Sequence, residues 1–224
     1  MITVRIDSSL SAQIPAFKIG VLQYNDIVVA DTPQMVKGRL QFFQESLAID
    51  LETKELDEFP GIREWRDVFK QLRSNPKRYP PSHEALYKRI KNRKFLPSVH
   101  SAVDVNNFFS LQYEIPLGIY DLSKLHGDIT IRLGTKTDAY EGLNGRMNTM
   151  TNKIISCDDE GAFGSPIVDS TRTKVTNETT DALHLVYLCP STTIDEARKM
   201  LEAIGKMFTQ IHGGNVQQNV IVSS

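Results

Sequence analysis

The stretch from Asp158 to Asp181, DDEGAFGSPIVDSTRTKVTNETTD, gathers most of the side chains whose types and spacing suggest chemistry in this 224-residue chain. Asp158, Asp159 and Glu160 are three consecutive carboxylates. That is an oxygen-donor set for a hard cation, and equally the composition of an acidic hairpin turn. The turn is the plainer reading, and no metal site is assigned. Asp169, Ser170, Arg172 and Thr173 supply a carboxylate, two hydroxyls and a guanidinium. Such a set suits a ligand that presents hydroxyl or amine groups, because each must be matched once water is removed. The competing reading is a turn whose side chains bond their own backbone, and spacing alone favours it. His184 stands in the apolar run ALHLVYLCP, where on a strand it shares a face with Ala182 and Val186. A lone histidine there is more often a satisfied core residue than a general base. His83, His100, His126 and His212 sit at expected helix or turn boundaries. No P-loop, nucleophile elbow, dinucleotide fingerprint or HExxH motif is present.

A second feature is electrostatic. The net charge is only −1, yet eleven Lys or Arg lie between Arg63 and Lys94 against three acids, Glu64, Asp67 and Glu84. Arg63, Arg66, Lys70 and Arg73 recur at helical spacing, and Lys77 and Arg78 follow. Clustered cations of this kind serve contact with a nucleic-acid backbone, or form a solvated helical face.

The elements that must position these residues read as an alternation of strands and helices. Strands are expected at 2–6, 18–22, 27–30, 115–120, 128–133, 153–157 and 182–189. A helix should follow Asp31-Thr32-Pro33, with Val36, Leu40, Phe43 and Leu47 inward, and 50–60 should be a connection. A helix from Gly61 buries Ile62, Trp65, Phe69 and Leu72. Pro76, Pro80 and Pro81 interrupt it before a second basic helix that opens at Ser82 and runs to Lys91. SAVDVNNFFSL forms a short helix opened by Ser101 and Asp104 in the manner of a capping box. A last helix opens at Thr192 or Thr193 with Glu196 in register, buries Ile194, Ala197, Leu201, Ile204 and Phe208, and stops at Gly213-Gly214. The fold class is α/β, of α+β type, with mixed β-sheets flanked by helices.

With 40% apolar and 24% charged residues, the composition is that of an ordinary globular domain. The apolar runs are far short of the roughly 20 residues that cross a bilayer. The opening MITVRIDSSL alternates like a strand and lacks a secretory h-region, and Cys157 and Cys189 fall in no motif. A cytoplasmic location is expected, with no membrane contact and no cofactor.

The order of short motifs from residue 96 onward resembles the B3/B4 domain of the phenylalanyl-tRNA synthetase β subunit. AVDVNNF (102–108) is similar to that family's VVDVTNY, EIPLGIYD (114–121) to its GQPLHAFD, and KLHGDITIR (124–132) to the strand that follows. EGLNG (141–145), IISCDDEGAFG (154–164), VTNETTD (175–181) and IHGG (211–214) fall in the same order. The segment GIREWRDVFKQLRSNPKRYPPSHEALYKRI (61–90) resembles the front half of free-standing B3/B4 proteins. The resemblance implies one domain over 1–224, with an N-terminal extension (1–60), a basic helical segment (61–95), a core (96–214) and a polar C-terminal tail (215–224).

The resemblance also implies a partner and an activity. The synthetase domain hydrolyses tyrosine mischarged onto the phenylalanine tRNA, so a free-standing relative is expected to bind tRNA or aminoacyl-tRNA and to clear mischarged esters. Nothing resembles a class II catalytic core, so ATP-dependent aminoacylation is not expected. Asn107 matches the family's Asn. Gly118 stands where the family keeps a pocket histidine, His184 where it keeps a glutamate, and SPIVDS (165–170) replaces its glycine-rich GGIFGG. The aminoacyl group is expected among Asn107, Gly118, Ser165, Ser170 and Thr173, with Asp169 or His184 orienting a water. Arg63, Arg66, Lys70, Arg73, Lys77 and Arg78 are the expected phosphate contacts. The rival reading is a non-catalytic module that binds an amino-acid-like small ligand or a protein partner.

Overall fold

The computed structural model describes residues 1–223. The chain opens with β1 (Val4–Ile6), one helical turn α1 (Ser8–Ser11) and the long strand β2 (Lys18–Asn25). Three helices follow, α2 (Gln34–Thr53), α3 (Pro60–Gln71) and α4 (Ser82–Lys91), and then α5 (Ser101–Tyr113). The remainder is β3 (Leu117–Asp121), β4 (Ile129–Leu133), β5 (Ala139–Glu141), β6 (Met147–Thr149), β7 (Ile154–Asp158), β8 (Gly161–Gly164), β9 (Ala182–Tyr187), α6 (Ile194–His212) and β10 (Asn215–Val222).

Two four-stranded sheets carry the architecture, in the orders β1-β4-β7-β8 and β10-β2-β9-β3, with β5 and β6 as a separate hairpin. β1 pairs parallel to β4, and every other neighbour in the two large sheets is antiparallel. This is the expected α+β arrangement with mixed sheets. β2 and β9 lie centrally in the second sheet, and all six residues of β9 are buried. That accounts for the nearly unbroken apolar run ALHLVYL, since a strand covered on both faces has no solvent side to alternate with.

The helices close over these sheets for reasons visible in their ends. Thr193 and Glu196 form the reciprocal cap of α6: the Glu196 amide donates to Thr193 Oγ1 (3.2 Å) and the Thr193 amide to Glu196 Oε2 (2.8 Å). Its buried stripe is Ala197, Leu201, Ile204 and Phe208. The helix stops at Gly213 and Gly214, both at positive φ, and a Cβ at 214 would lie 2.2 Å from the Asn25 carbonyl oxygen. Only glycine fits there.

Four local expectations are corrected. Residues 27–30 form no strand; β2 runs on to Asn25, Asp26 turns at φ 58°, and Val28 donates to the His212 carbonyl. Residues 50–53 continue α2 rather than connecting it, since Leu51 is buried, and Glu52 and Glu55 meet Arg93 and Lys91 across the helices. The side-chain cap of α5 is His100 rather than Ser101, because Asp104 is drawn away by Thr32 Oγ1 (2.6 Å), Ser98 Oγ (2.5 Å) and the Val99 amide (3.0 Å). Residues 215–222 are strand β10, paired along β2, and not a tail. None of its residues is fully buried, because an edge strand covers only part of one face.

Candidate functional site

β3 is an edge strand of the second sheet, and beyond its open side the Asp121 amide donates to the Thr173 carbonyl (2.9 Å). A cavity of about 470 Å³ lies between β3, α5, the first turns of α4 and residues 168–175. Its walls are mainly apolar, with Leu86, Val103, Leu117, Ile119, Val168 and Val175 among them. The polar residues among them are Ser82 from α4, His100 at the cap of α5, Asn106, Asn107 and Ser110 from α5, Tyr120 from β3, and Asp169 and Lys174 from the loop. A mostly apolar cavity with a handful of convergent polar groups is the common form of a small-ligand site.

Asp169 is the chemically distinctive member. Ser165 winds the preceding turn: its hydroxyl donates to the Val168 carbonyl (2.9 Å) and accepts from the Ile167 and Val168 amides (3.2 and 3.1 Å). Pro166 is tied to α4, its carbonyl accepting from the Ser82 amide (2.7 Å). The turn delivers Asp169 to the cavity wall, where its Oδ1 accepts from the Tyr120 hydroxyl (2.7 Å). Burial pushes the Asp169 carboxyl up to about 7, against the smaller opposing pull of that hydrogen bond. A carboxyl that titrates near neutrality is poised to exchange protons with a bound ligand or water.

Gly118 makes this pairing possible. On β3 it shares a face with Tyr120, and a Cβ at 118 would stand 2.1 Å from the Tyr120 hydroxyl oxygen and 3.1 Å from Asp169 Oδ2. The phenol also crosses Gly164, where a Cβ would lie 2.3 Å from the same oxygen. The space freed at 118 is therefore filled by the chain's own phenol and not by a ligand, which corrects the placement of Gly118 in a binding pocket. In the motif alignment above, EIPLGIYD exchanges both the family's histidine for Gly118 and its phenylalanine for Tyr120. The imidazole is lost and a hydroxyl arrives from two residues on.

His184 does not line the cavity. It lies on the central strand β9, fully buried, with its ring tilted against Phe208. Tyr24 Oη lies 3.3 Å from Nδ1, and Asn106 Oδ1 lies 3.0 Å from Nε2. Burial, helped by the nearby His212, lowers its pKa to about 3, so the ring is neutral. The arrangement is consistent when Tyr24 donates to Nδ1 and Nε2–H donates to Asn106. That leaves the Asn106 carboxamide NH₂ facing the cavity. His184 thus holds Asn106 from behind the wall.

The other expected residues separate. Asn107 lines the cavity. Ser165 and Ser170 are buried turn residues, and Ser170 Oγ accepts from the Arg172 amide (3.1 Å). The Thr173 hydroxyl is buried without a partner among the described residues. Arg172 points away, to Asp158 (2.8 Å) and Glu160 (3.0 Å), so the acidic turn at 158–160 closes on a guanidinium. Asn106 and Tyr120 escaped the sequence reading. The signal for Asn106 was present, since Val103, Asn106, Asn107 and Ser110 recur at helical spacing and all line the cavity.

The basic stripe is also divided. Arg66 makes a two-point contact with Glu84, Nε to Oε2 and Nη2 to Oε1, both 2.9 Å, and the Glu84 side chain is 1% exposed. Arg66 is thereby an internal ion pair and not a free cation. Lys70 pairs with Asp67 on the surface (2.8 Å). Arg63, Arg73, Lys77 and Arg78 are exposed.

The order of short motifs agrees with comparison against known proteins. Residues 64–207 match the B3/4 domain family model, and the chain belongs to that family. It is similar to the protein YhzB of Bacillus subtilis (strain 168), at 32% identity over 211 residues, 94% of this chain and 95% of that one. It is also similar to the phenylalanine–tRNA ligase β subunits of Nitrobacter winogradskyi, 33% identical over 105 residues, and Fusobacterium nucleatum, 29% identical over 122 residues. These matches cover 46% and 53% of this chain but span only 13% and 15% of the ligase subunits. Among solved structures, an N-terminal fragment of the phenylalanyl-tRNA synthetase β subunit from Pyrococcus horikoshii aligns over 96% of this chain and 50% of the fragment, at TM-score 0.49 and 13% identity. No helix among the described residues is long and apolar enough to cross a membrane.

Proposed function

We propose that this protein binds tRNA or aminoacyl-tRNA, seats the aminoacyl group in the cavity between α5 and β3, and hydrolyses a mischarged ester there. The observation that carries the reading is the Asp169 carboxyl held by Tyr120 on the wall of an apolar cavity that Asn106 also lines, where burial pushes the carboxyl up to about 7. Ester hydrolysis needs a base for water and a donor for the oxyanion, and these two groups supply them without a protein nucleophile. Asp169 carboxylate takes a proton as water adds to the ester carbonyl. The Asn106 NH₂ supports the oxygen that gains charge. Collapse of the adduct breaks the ester bond, and the ribose oxygen leaves with the proton. The products are free amino acid and uncharged tRNA. The two cysteines are poor nucleophile candidates, because both are buried and burial raises the Cys157 thiol to about 11 and the Cys189 thiol further.

The test is direct. Purified protein is incubated with a panel of mischarged tRNAs and release of the amino acid is followed. Asp169→Asn should lower release by roughly 10²–10⁴-fold while tRNA retention at low salt persists. Release should rise with pH through about 7, as the carboxylate forms. No release across the panel together with no tRNA retention would sink the proposal. Retention without release assigns the cavity to binding of the aminoacyl group alone.

A further inference from the structure

Beside the cavity runs a second depression of about 580 Å³, walled by the 78–80 segment, the β5–β6 hairpin and the residues between it and β7. We propose that this groove, built on Arg78, Arg146 and Lys153, holds the single-stranded 3′ end of an RNA and leads its terminal residue into the cavity. The inference rests on the function proposed above and names the surface that would serve it.

Three observations carry it. The first is uncompensated charge: none of the three cations has a carboxylate within ion-pair distance among the described residues, whereas Arg66, Arg132 and Arg172 each do. The second is how the charge is held. Lys153 is only 9% exposed, donates to the Thr149 carbonyl (2.7 Å), and places its ammonium 4.3 Å from the centre of the Tyr79 ring. The Arg78 guanidinium lies 5.2 Å from the centre of the same ring. Two cations are thus gathered on one aromatic ring, at a cost in solvation and repulsion that an anion would relieve. Burial first, and the Arg78 charge second, lower the Lys153 pKa accordingly.

The third observation is continuity. Val168 lines both spaces, and α4 contributes Ser82 and Leu86 to the cavity and Ala85 to the groove. The hairpin sets Met147 in the groove and Leu143 at the cavity, 70% and 55% exposed. Large apolar side chains beside cations offer unpaired bases a surface on which to pack while the phosphates meet the charges. A duplex has its bases stacked within and gains nothing from such surfaces. The groove therefore favours an unpaired strand.

The experiment measures binding of a short 5′-labelled single-stranded RNA by fluorescence anisotropy across a range of salt. The proteins are wild type, Arg78→Gln/Arg146→Gln, and Lys199→Gln/Lys206→Gln, two exposed cations on α6, as a control away from the groove. Lys153 is left in place because it is nearly buried. The groove variant should bind more weakly, and its log–log salt slope should be shallower by about 1.4, two cations on a single strand. The control should keep the wild-type slope. Wild-type affinity and slope in the groove variant, with RNA still bound, would overturn the groove and leave the proposed function standing. A wild-type protein that binds no RNA at low salt overturns both. Competition by an acidic peptide at lower concentration than unlabelled RNA reassigns the groove to a protein partner and also overturns the inference.

Discussion

Replacing Asp169 with asparagine keeps the shape of the cavity wall and removes its titrating carboxyl. In the unfolded chain that carboxyl ionises near 3.9; in the fold, burial pushes it up to about 7. Between these values the native state holds a proton that the unfolded state has released. Stability must therefore fall as pH rises across that interval and level off above it. A separation of about 3 pH units, at ~1.4 kcal/mol each, amounts to ~4 kcal/mol, and partial access of cavity water reduces this to about 2–4 kcal/mol. Asparagine carries no such penalty, and its side-chain carbonyl can still accept from Tyr120. The variant should match wild type below about pH 3.9 and exceed it by about 2–4 kcal/mol near about pH 8. Urea unfolding followed by circular dichroism at a series of pH values gives the two curves. Parallel curves would show an ordinary solvated carboxylate at 169 and remove the base from the proposed chemistry.

Two further substitutions test the geometry around it. Gly118→Ala sets a methyl 2.1 Å from the Tyr120 hydroxyl and should cost about 1–3 kcal/mol. Tyr120→Phe in the same chain should recover part of that loss in a double-mutant cycle, and strict additivity of the two changes would refute the contact. Arg66→Met strands the buried Glu84 carboxylate with Lys88 alone and should destabilise the fold by about 3 kcal/mol while leaving the salt slope of RNA binding unchanged. A shallower slope would return Arg66 to the phosphate contacts.

How much of this was legible depends on how local the signal is. The α6 cap, the breaks at Pro76 to Pro81, and β9 were read correctly because their causes lie within a few residues. The family emerged because its motifs are short and ordered. What stayed hidden depends on partners distant in the chain. Arg66 reads as a surface cation until Glu84, eighteen positions on, is found beneath it. Arg146 and Lys153 join Arg78 only through the β5–β6 hairpin. Strand β10 reads as a tail because its pairing with β2 closes almost the whole length of the chain. Of the site, Asp169 and Asn107 were named from sequence and both line the cavity. His184 was named for the wrong layer, because alternation along a strand tells which residues share a face and not which layer covers it.

One consequence of the packing behind the cavity is optical. The Tyr120 phenol that holds Asp169 has the Tyr187 hydroxyl as its neighbour, and Tyr187 meets Trp65 edge-on with ring centres 6.4 Å apart. Trp65 is the chain's single tryptophan and is wholly shielded from solvent. Any ligand that changes the charge of Asp169 or shifts Tyr120 acts two side chains away from the one indole that emits. Filling of the cavity is therefore expected to change the protein's own fluorescence, and titration of a ligand against Trp65 emission checks it.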